Sequence, residues 1–378
     1  MDAYIVDFAR SPFHLARKGR FASLRPDELA AQVVRGLLAR QPFEPGLIED
    51  VILGCAYPEG AQGDNLARIV GFLAGLPGSV AGITMNRFCG SSMSAIHVAA
   101  GSIATGAGEA FLCVGVESMS MVPQGGLSSS PSPRLLTDYP EAYISMGMTA
   151  ENLANRYAIT RREQELFATS SQQKAAAAIQ AQAFEREIVP IQLGDGTRID
   201  SDGCPRPTTS AEGLAQLRPA FLENGSVTAG TSSPLTDGAT AVLVASEDFV
   251  YAHGLRPLAQ IKAIAVAGCP PEVMGIGPVP ASRKALARAG LTMANIDLIE
   301  LNEAFASQAL ACLCDLEVHP QILNLDGGAL ALGHPLGATG ARITGKAASL
   351  LQRTGGRYAL ATQCIGGGQG IATVLERV

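Results

Sequence analysis

The chain has 378 residues, 47% of them hydrophobic, enough to bury a large core over about two or three domain-sized units, which argues against disorder. A formal charge of -6 and an isoelectric point near 5.5 give no general electrostatic reason to bind nucleic acid or an anionic membrane, so an anionic ligand would need a local basic site. The eight cysteines lie mostly in apolar runs with no C-x-x-C spacing, the pattern of free thiols in a reducing compartment.

The opening MDAYIVDFARSPF carries Asp2 and Asp7 inside its apolar stretch, unlike a signal peptide, and the closing VLERV is no address signal. No apolar run reaches the roughly 18 residues that span a bilayer, so a cytoplasmic protein without a membrane span is expected. Strand-like runs at 3–8, 50–55, 81–86 and 110–116 alternate with helical patterns near 27–40, 64–74 and 91–106, the rhythm of an α/β unit. Residues 119–245 differ in character. A Ser/Pro/Gly-rich stretch (123–134), a charged helical stretch (149–183) and a turn-rich stretch (194–212) read as an insertion over the scaffold. Its last part, VTAGTSSPLTDGATAVLVAS, returns to strand and helix and is expected to rejoin the first half. The order of elements then repeats: a strand at 258–267, a helix at 280–289, a strand within 295–306, then a further strand, a glycine-rich turn at 327–340 and a helix to about 353 that parallel the region around Cys89. The expected organisation is therefore two similar halves, 1–118 and 246–378, around an insertion, 119–245.

Four segments carry reactive or polar side chains among glycines and small residues. NRFCGSSMS (86–94) sets Cys89 at a strand-to-helix turn, where helix N–H groups and the helix dipole favour a thiolate nucleophile. LNEAFA (301–306) puts Asn302 and Glu303 directly after an apolar strand, at the sheet edge where open α/β sheets bind ligands; the plainer reading of Asn302 is a helix cap. GGALALGHPLGATGAR (327–342) holds His334 in a loop kept open by five glycines, whereas His97, inside a helix, reads as structural. CIGGGQG (364–370) places Cys364 at a strand end before freely exposed backbone amides; it lacks the Lys-Ser/Thr of a nucleotide-binding loop. Two cysteines, a histidine and an asparagine supply a nucleophile, a base, a second proton carrier and oxyanion donors. A metal site from Cys312, Cys314 and His319 is the weaker reading, because residues two apart on a helix face different ways.

These four segments, in this order and spacing, resemble the thiolase family over nearly the whole chain. VTAGTSSPLTDGA, GCPPEVMGIGPVPAS (268–282) and the stretch at 203–220 resemble its bacterial degradative 3-ketoacyl-CoA members. The resemblance implies duplicated βαβ halves in a five-layered αβαβα core with an inserted loop domain. It implies an acyltransferase that cleaves 3-ketoacyl-CoA with coenzyme A to acetyl-CoA and a shortened acyl-CoA, as in fatty-acid β-oxidation. Coenzyme A is then a substrate, and no cofactor or metal is implied. Carried over, Cys89 forms the acyl-enzyme, His334 accepts its proton and Cys364 protonates the leaving carbanion. One oxyanion site would combine His334 with a water held by Asn302, and the other the N–H groups of Cys89 and Gly366. Ser233 would lie near the pantetheine, Arg206 near the adenine nucleotide, and Met146 and Met274 along the reaction pocket. Many acetyl-specific relatives carry histidine where this chain has Ser145, which leans towards longer acyl chains. Implied partners are a homodimer or homotetramer mate and a hydratase/dehydrogenase subunit. The alternatives are a biosynthetic acetyl-CoA C-acetyltransferase and a non-catalytic acyl-CoA-binding protein, the intact set of four residues speaking against the second.

Overall fold

The computed structural model describes residues 2–378. β1 (Ala3–Arg10) and the short β2 (His14–Leu15) lead into α1 (Pro26–Leu38), β3 (Asp50–Gly54), α2 (Leu66–Leu73), β4 (Ala81–Met85), α3 (Ser91–Ala104) and β5 (Ala110–Ser118). A middle stretch contributes α4 (Pro133–Asp138), α5 (Met146–Arg156), α6 (Arg161–Gln180), the pair β6 (Ile191–Gln192) and β7 (Arg198–Ile199), and α7 (Ala211–Ala215). The chain continues as β8 (Thr236–Ser246), α8 (Glu247–Ala252), β9 (Ala259–Gly268), α9 (Pro278–Ala289), β10 (Leu298–Leu301), α10 (Ala306–Leu316), α11 (Ala329–Leu332), α12 (Leu336–Thr354), β11 (Tyr358–Ile365) and β12 (Gln369–Glu376).

Side-chain alternation along the strands builds the layers. In β5, Ala110, Leu112, Val114 and Val116 meet α1 and α2, whereas Phe111 and Cys113 face the other way, onto Met93, Ile96 and Ile103 of α3 and Ile343 and Ala347 of α12. In β11, Ala359 and Ala361 join that same central cluster while Leu360 packs outward with α9 and α10. The order is helices, sheet, the α3/α12 pair, sheet, helices, which is five layers. Strands run β4-β3-β5-β8-β1 in the first half and β9-β12-β11-β10 in the second, and the two halves are stitched edge to edge where Tyr4 and Ile5 pair with Gln260 and Ala259. Thus the second half repeats the first, with the counterpart of β4 reduced to a single parallel bridge between Leu323 and Ile299 of β10.

Close approach in the central layer depends on glycine. A Cβ on Gly340 of α12 would stand 2.5 Å from the Met93 backbone nitrogen of α3, and one on Gly115 of β5 would stand 2.6 Å from Ala338 Cα of α12. Small residues therefore let two helices and two sheets meet around one axis.

The structure refines the sequence reading at three places. The helical stretch at 149–183 is divided into two helices, because Ala158 takes φ 51° and Thr160 caps α6 in a reciprocal capping box with Glu163. TDGATAVLVAS is a single eleven-residue strand, buried at every position between β1 and β5, and the following helix begins only at Glu247. Asn302 caps no helix: α10 starts at Ala306 with Phe305 as its flanking residue.

Candidate active site

Cys89 stands two residues before α3, and His334 stands two residues before α12. The two central helices thus aim the corresponding positions of the two halves at one place. The Cys89 turn is tight. Phe88 adopts φ 43°, a left-handed conformation that costs a bulky residue roughly 1–3 kcal/mol. It is held there by its N–H bond to Asn86 Oδ1 (2.7 Å) and by the Ser91 hydroxyl, which donates to the Phe88 carbonyl (2.6 Å) and accepts from the Arg87 N–H (2.9 Å). From the other half, Gln363 Nε2 donates to the Cys89 carbonyl at 2.5 Å.

The Cys89 sulfur meets the backbone N–H groups of Gly366 and of Cys89 itself. Burial nevertheless pushes this thiol up to about 12, beyond what those donors recover, and the Glu117 carboxylate adds to the rise. Desolvation thus outweighs the helix N-terminus and favours the thiol, in keeping with the expectation that His334 accepts its proton. Ala56, Met119 and Leu336 form the apolar wall on its side, with Tyr57 packed against them.

His334 is buried, and burial followed by the Arg342 charge pulls it down to about 3, so the imidazole is neutral at pH 7. Its tautomer follows from its neighbours. The Thr339 hydroxyl gives its hydrogen to the Pro335 carbonyl (3.3 Å) and so accepts from Nδ1–H (2.6 Å), leaving Nε2 as the acceptor nitrogen. Nε2 faces Asn302 Nδ2 at 3.4 Å, and Asn302 Oδ1, though buried, has no protein partner. The His334 N–H is tied to Thr236 Oγ1 at 3.1 Å, and Gly333 needs φ 95° to bring the loop past Thr236 and Cys204.

Cys364 is the penultimate residue of β11, two before Gly366, and burial raises its thiol well above the ordinary range, a charge on Cys89 raising it further. It sits in an apolar cluster with Met274, Phe305 and Val227, against which Met146 packs. Met146 Sδ also lies 3.7 Å from the position a Cβ on Gly366 would take. The structure thus gathers Cys89, Gly366 and Cys364 on one side, and His334 and Asn302 on another, with Met146 and Met274 along the wall. Ser233 is half-buried; its N–H bonds the Ala304 carbonyl (2.9 Å) two residues beyond Asn302. Arg206 is exposed, its N–H held by Gln172 (2.7 Å), two residues after the Cys204 that abuts Gly333. His97 is half-buried and bonds Thr373 Oγ1 across the two halves at 2.8 Å, away from this set. Cys312 is buried and Cys314 exposed, and among the described residues no cluster of three or more metal-ligating side chains forms.

Three residues that the sequence reading passed over shape the site. Thr339 orients the imidazole. Gln363 holds the Cys89 backbone. Glu117, buried, accepts from the N–H groups of Ala56 (2.8 Å) and Gly337 (2.8 Å) and from Gln62 (3.0 Å), fastening the first turn of α12 to the Cys89 half. Only Thr339 had a signal, a hydroxyl five residues after the loop histidine.

Two family models match the chain: thiolase, N-terminal domain, over residues 3–248, and thiolase, C-terminal domain, over residues 255–377. A 3-ketoacyl-CoA thiolase of Shewanella putrefaciens is 48% identical, covering 100% of this chain and 99% of its own length, and one of Cronobacter sakazakii is 48% identical with 99% of each covered. Among solved structures, human mitochondrial 3-ketoacyl-CoA thiolase superposes with a TM-score of 0.92 at 39% identity, covering 100% of this chain, and so does the same protein in complex with CoA.

Proposed function

The chain belongs to the thiolase family, and from that membership we propose that it is a 3-ketoacyl-CoA thiolase, an acyltransferase in fatty-acid metabolism. The observation that carries the reading is the placement of Cys89 and His334 at matching turns, each two residues before one of the two packed central helices, with the His334 Nδ1 side engaged by Thr339 so that Nε2 is the acceptor.

In the proposed cycle, His334 Nε2 accepts the Cys89 proton and the thiolate attacks the 3-keto carbon. The bond between C2 and C3 breaks, the acyl group stays on Cys89, and the acetyl-CoA carbanion takes the Cys364 proton. An incoming coenzyme A thiol returns a proton to Cys364, its sulfur takes the acyl group, and the Cys89 thiolate recovers its proton from His334. The N–H groups of Cys89 and Gly366 are suited to the oxyanion of the acyl step. Asn302, with an unpartnered Oδ1 beside His334, is suited to hold a water for the enolate oxygen. Coenzyme A is the substrate, with Ser233 assigned to its pantetheine and Arg206 to its nucleotide, and Met146 and Met274 to the acyl wall; the CoA complex of the human relative supports this class of ligand. We assign three units, 1–118, 119–245 and 246–378, the end of the second rejoining the first.

Replacing Cys364 by alanine tests the division of labour. Cys89 should still take an acyl group from acetyl-CoA, while cleavage of a 3-ketoacyl-CoA falls by a hundredfold or more, the usual yield of positioned acid–base catalysis. Normal thiolysis by this variant would refute the roles. The proposed assembly is a homodimer through the open edge of β4, where Ile83 and the neighbouring Phe72 are half exposed. Light scattering should give twice the chain mass, and a monomer would exclude it. No helix among the described residues is long and apolar enough to cross a membrane, which agrees with a cytoplasmic enzyme.

A further inference from the structure

Beneath His334 the central layer contains a charged pair in an unusual state. Leu298 and Glu300 of β10, and Asn302 just past its end, share the face turned towards α12, because Ile299 and Leu301 belong to the outer cluster. Glu300 is fully buried, Arg342 of α12 is 1% exposed, and Arg342 Nη1 lies 3.6 Å from Glu300 Oε2. That is an ion pair without a hydrogen bond. Both Glu300 carboxylate oxygens, and Arg342 Nε and Nη2, have no protein partner. Asn302 Oδ1, Gln363 Oε1 and Thr240 Oγ1, facing the same layer, are likewise unpartnered, and Asn302, two residues beyond Glu300 on the same face, meets His334 Nε2 through Nδ2 at 3.4 Å. Two charges so poorly satisfied cost stability, and an apolar pair would fill the space better. Their presence is explained if the charges serve the neighbouring base.

The charge on Arg342 lowers the proton affinity of His334. Resting on the thiolase reading above, we propose that Glu300 is a positioning residue for His334: its carboxylate offsets Arg342, so that the imidazolium formed when Cys89 Sγ gives its proton to Nε2 is not opposed by an uncompensated cation. The other charges near Glu300 have partners of their own, Arg353 pairing with Asp326 at 2.6 Å. Lys346 of α12 is held by Glu187 (2.8 Å) and Asp326 (2.7 Å), and Lys174 of α6 donates to the Leu323 carbonyl (2.6 Å). Glu303 is occupied by Ser171 (2.6 Å) and Asn324 (2.7 Å). Burial, working against Arg342 and Lys346, raises Glu300 to about 7, so its charge disappears across the neutral range. Above that pH the offset is present; below it Arg342 stands alone and His334 is a poorer base.

The test is the single-turnover rate of Cys89 acylation by acetyl-CoA as a function of pH, for the wild type, Glu300→Gln and the double variant Glu300→Gln/Arg342→Gln. The wild-type rate should fall as pH drops through about 7. Glu300→Gln should be slower at pH 8 by about tenfold or more, the effect of one buried charge a few ångströms beyond contact at an effective dielectric near 20, and should lack the inflection. The double variant, with no charge to offset, should regain most of the rate at pH 8 and also lack the inflection. A Glu300→Gln enzyme with wild-type rate and inflection would overturn the assignment, and so would a double variant no faster than the single. Should Glu300→Gln alone fail to fold, an inflection near 7 in the charge-neutral double variant would overturn it and a flat profile would uphold it. A wild type that never acylates would sink the thiolase reading and this inference with it, a result distinct from an active wild type unaffected by these changes.

Discussion

Cys89 and His334 are poor partners in isolation, a thiol near 12 and an imidazole near 3, and the site works only if it stabilises the charged pair more than either charge alone. The donors already aimed at the sulfur, the N–H groups of Gly366 and Cys89, supply part of that on the thiolate side. On the imidazole side the fixed element is Thr339, whose hydroxyl accepts Nδ1–H and keeps Nε2 free. Thr339→Val removes that acceptor while keeping the shape. Acylation by acetyl-CoA should slow about tenfold to a hundredfold, a fraction of what a positioned base supplies, whereas Thr339→Ser should stay near the wild type. Equal rates for the valine and serine variants would show that the tautomer is not held from this side.

At the scale of elements, catalysis depends on how closely α3 and α12 approach, since each helix carries one member of the pair at its start. Gly340 sets that approach, and Gly340→Ala should force the helices apart, destabilising the protein by about 1–3 kcal/mol in denaturant unfolding and slowing acylation together. An alanine variant with unchanged midpoint and rate would mean the helices yield elsewhere. These same elements explain what was legible in the sequence. The strands and helices of both halves, and all four residues at sheet-edge turns, could be read because apolar periodicity ends abruptly in glycine-rich loops at Cys89, Asn302, His334 and Cys364. The break between α5 and α6 could not, because Tyr157–Thr160 contains neither glycine nor proline and Ala158 takes its left-handed turn only in the folded context. Nor could the partnership of Glu300 with Arg342, which exists only once β10 and α12 are stacked. The rise of the Cys89 thiol was hidden for a related reason: a helix N-terminus is visible in sequence, whereas desolvation is a property of the packed layer.

Across the whole molecule the duplication accounts for where each group stands. Cys89 corresponds to His334, one residue pair before each central helix, and Cys364 on β11 corresponds to Glu117 on β5, each the penultimate residue of its strand. The second half uses that strand position for a thiol, and the first uses it for a carboxylate that clamps Ala56 and Gly337. The middle stretch is locked to both halves by buried charges: Arg10 of β1 bonds Asp202 (2.7 Å) and Glu187 (2.7 Å), and Glu187 bonds Lys346 of α12 (2.8 Å). Its helices α5 and α6 thereby hold Met146 and Ser171 against the site residues Cys364 and Glu303. The central claim is that only one of the two thiols carries the acyl group. Brief exposure to acetyl-CoA, an acid quench, digestion and peptide mass measurement decide this directly. An acetyl adduct on the peptide containing Cys89, absent from the peptide containing Cys364, is the predicted result; an adduct on Cys364 with Cys89 unmodified would contradict it.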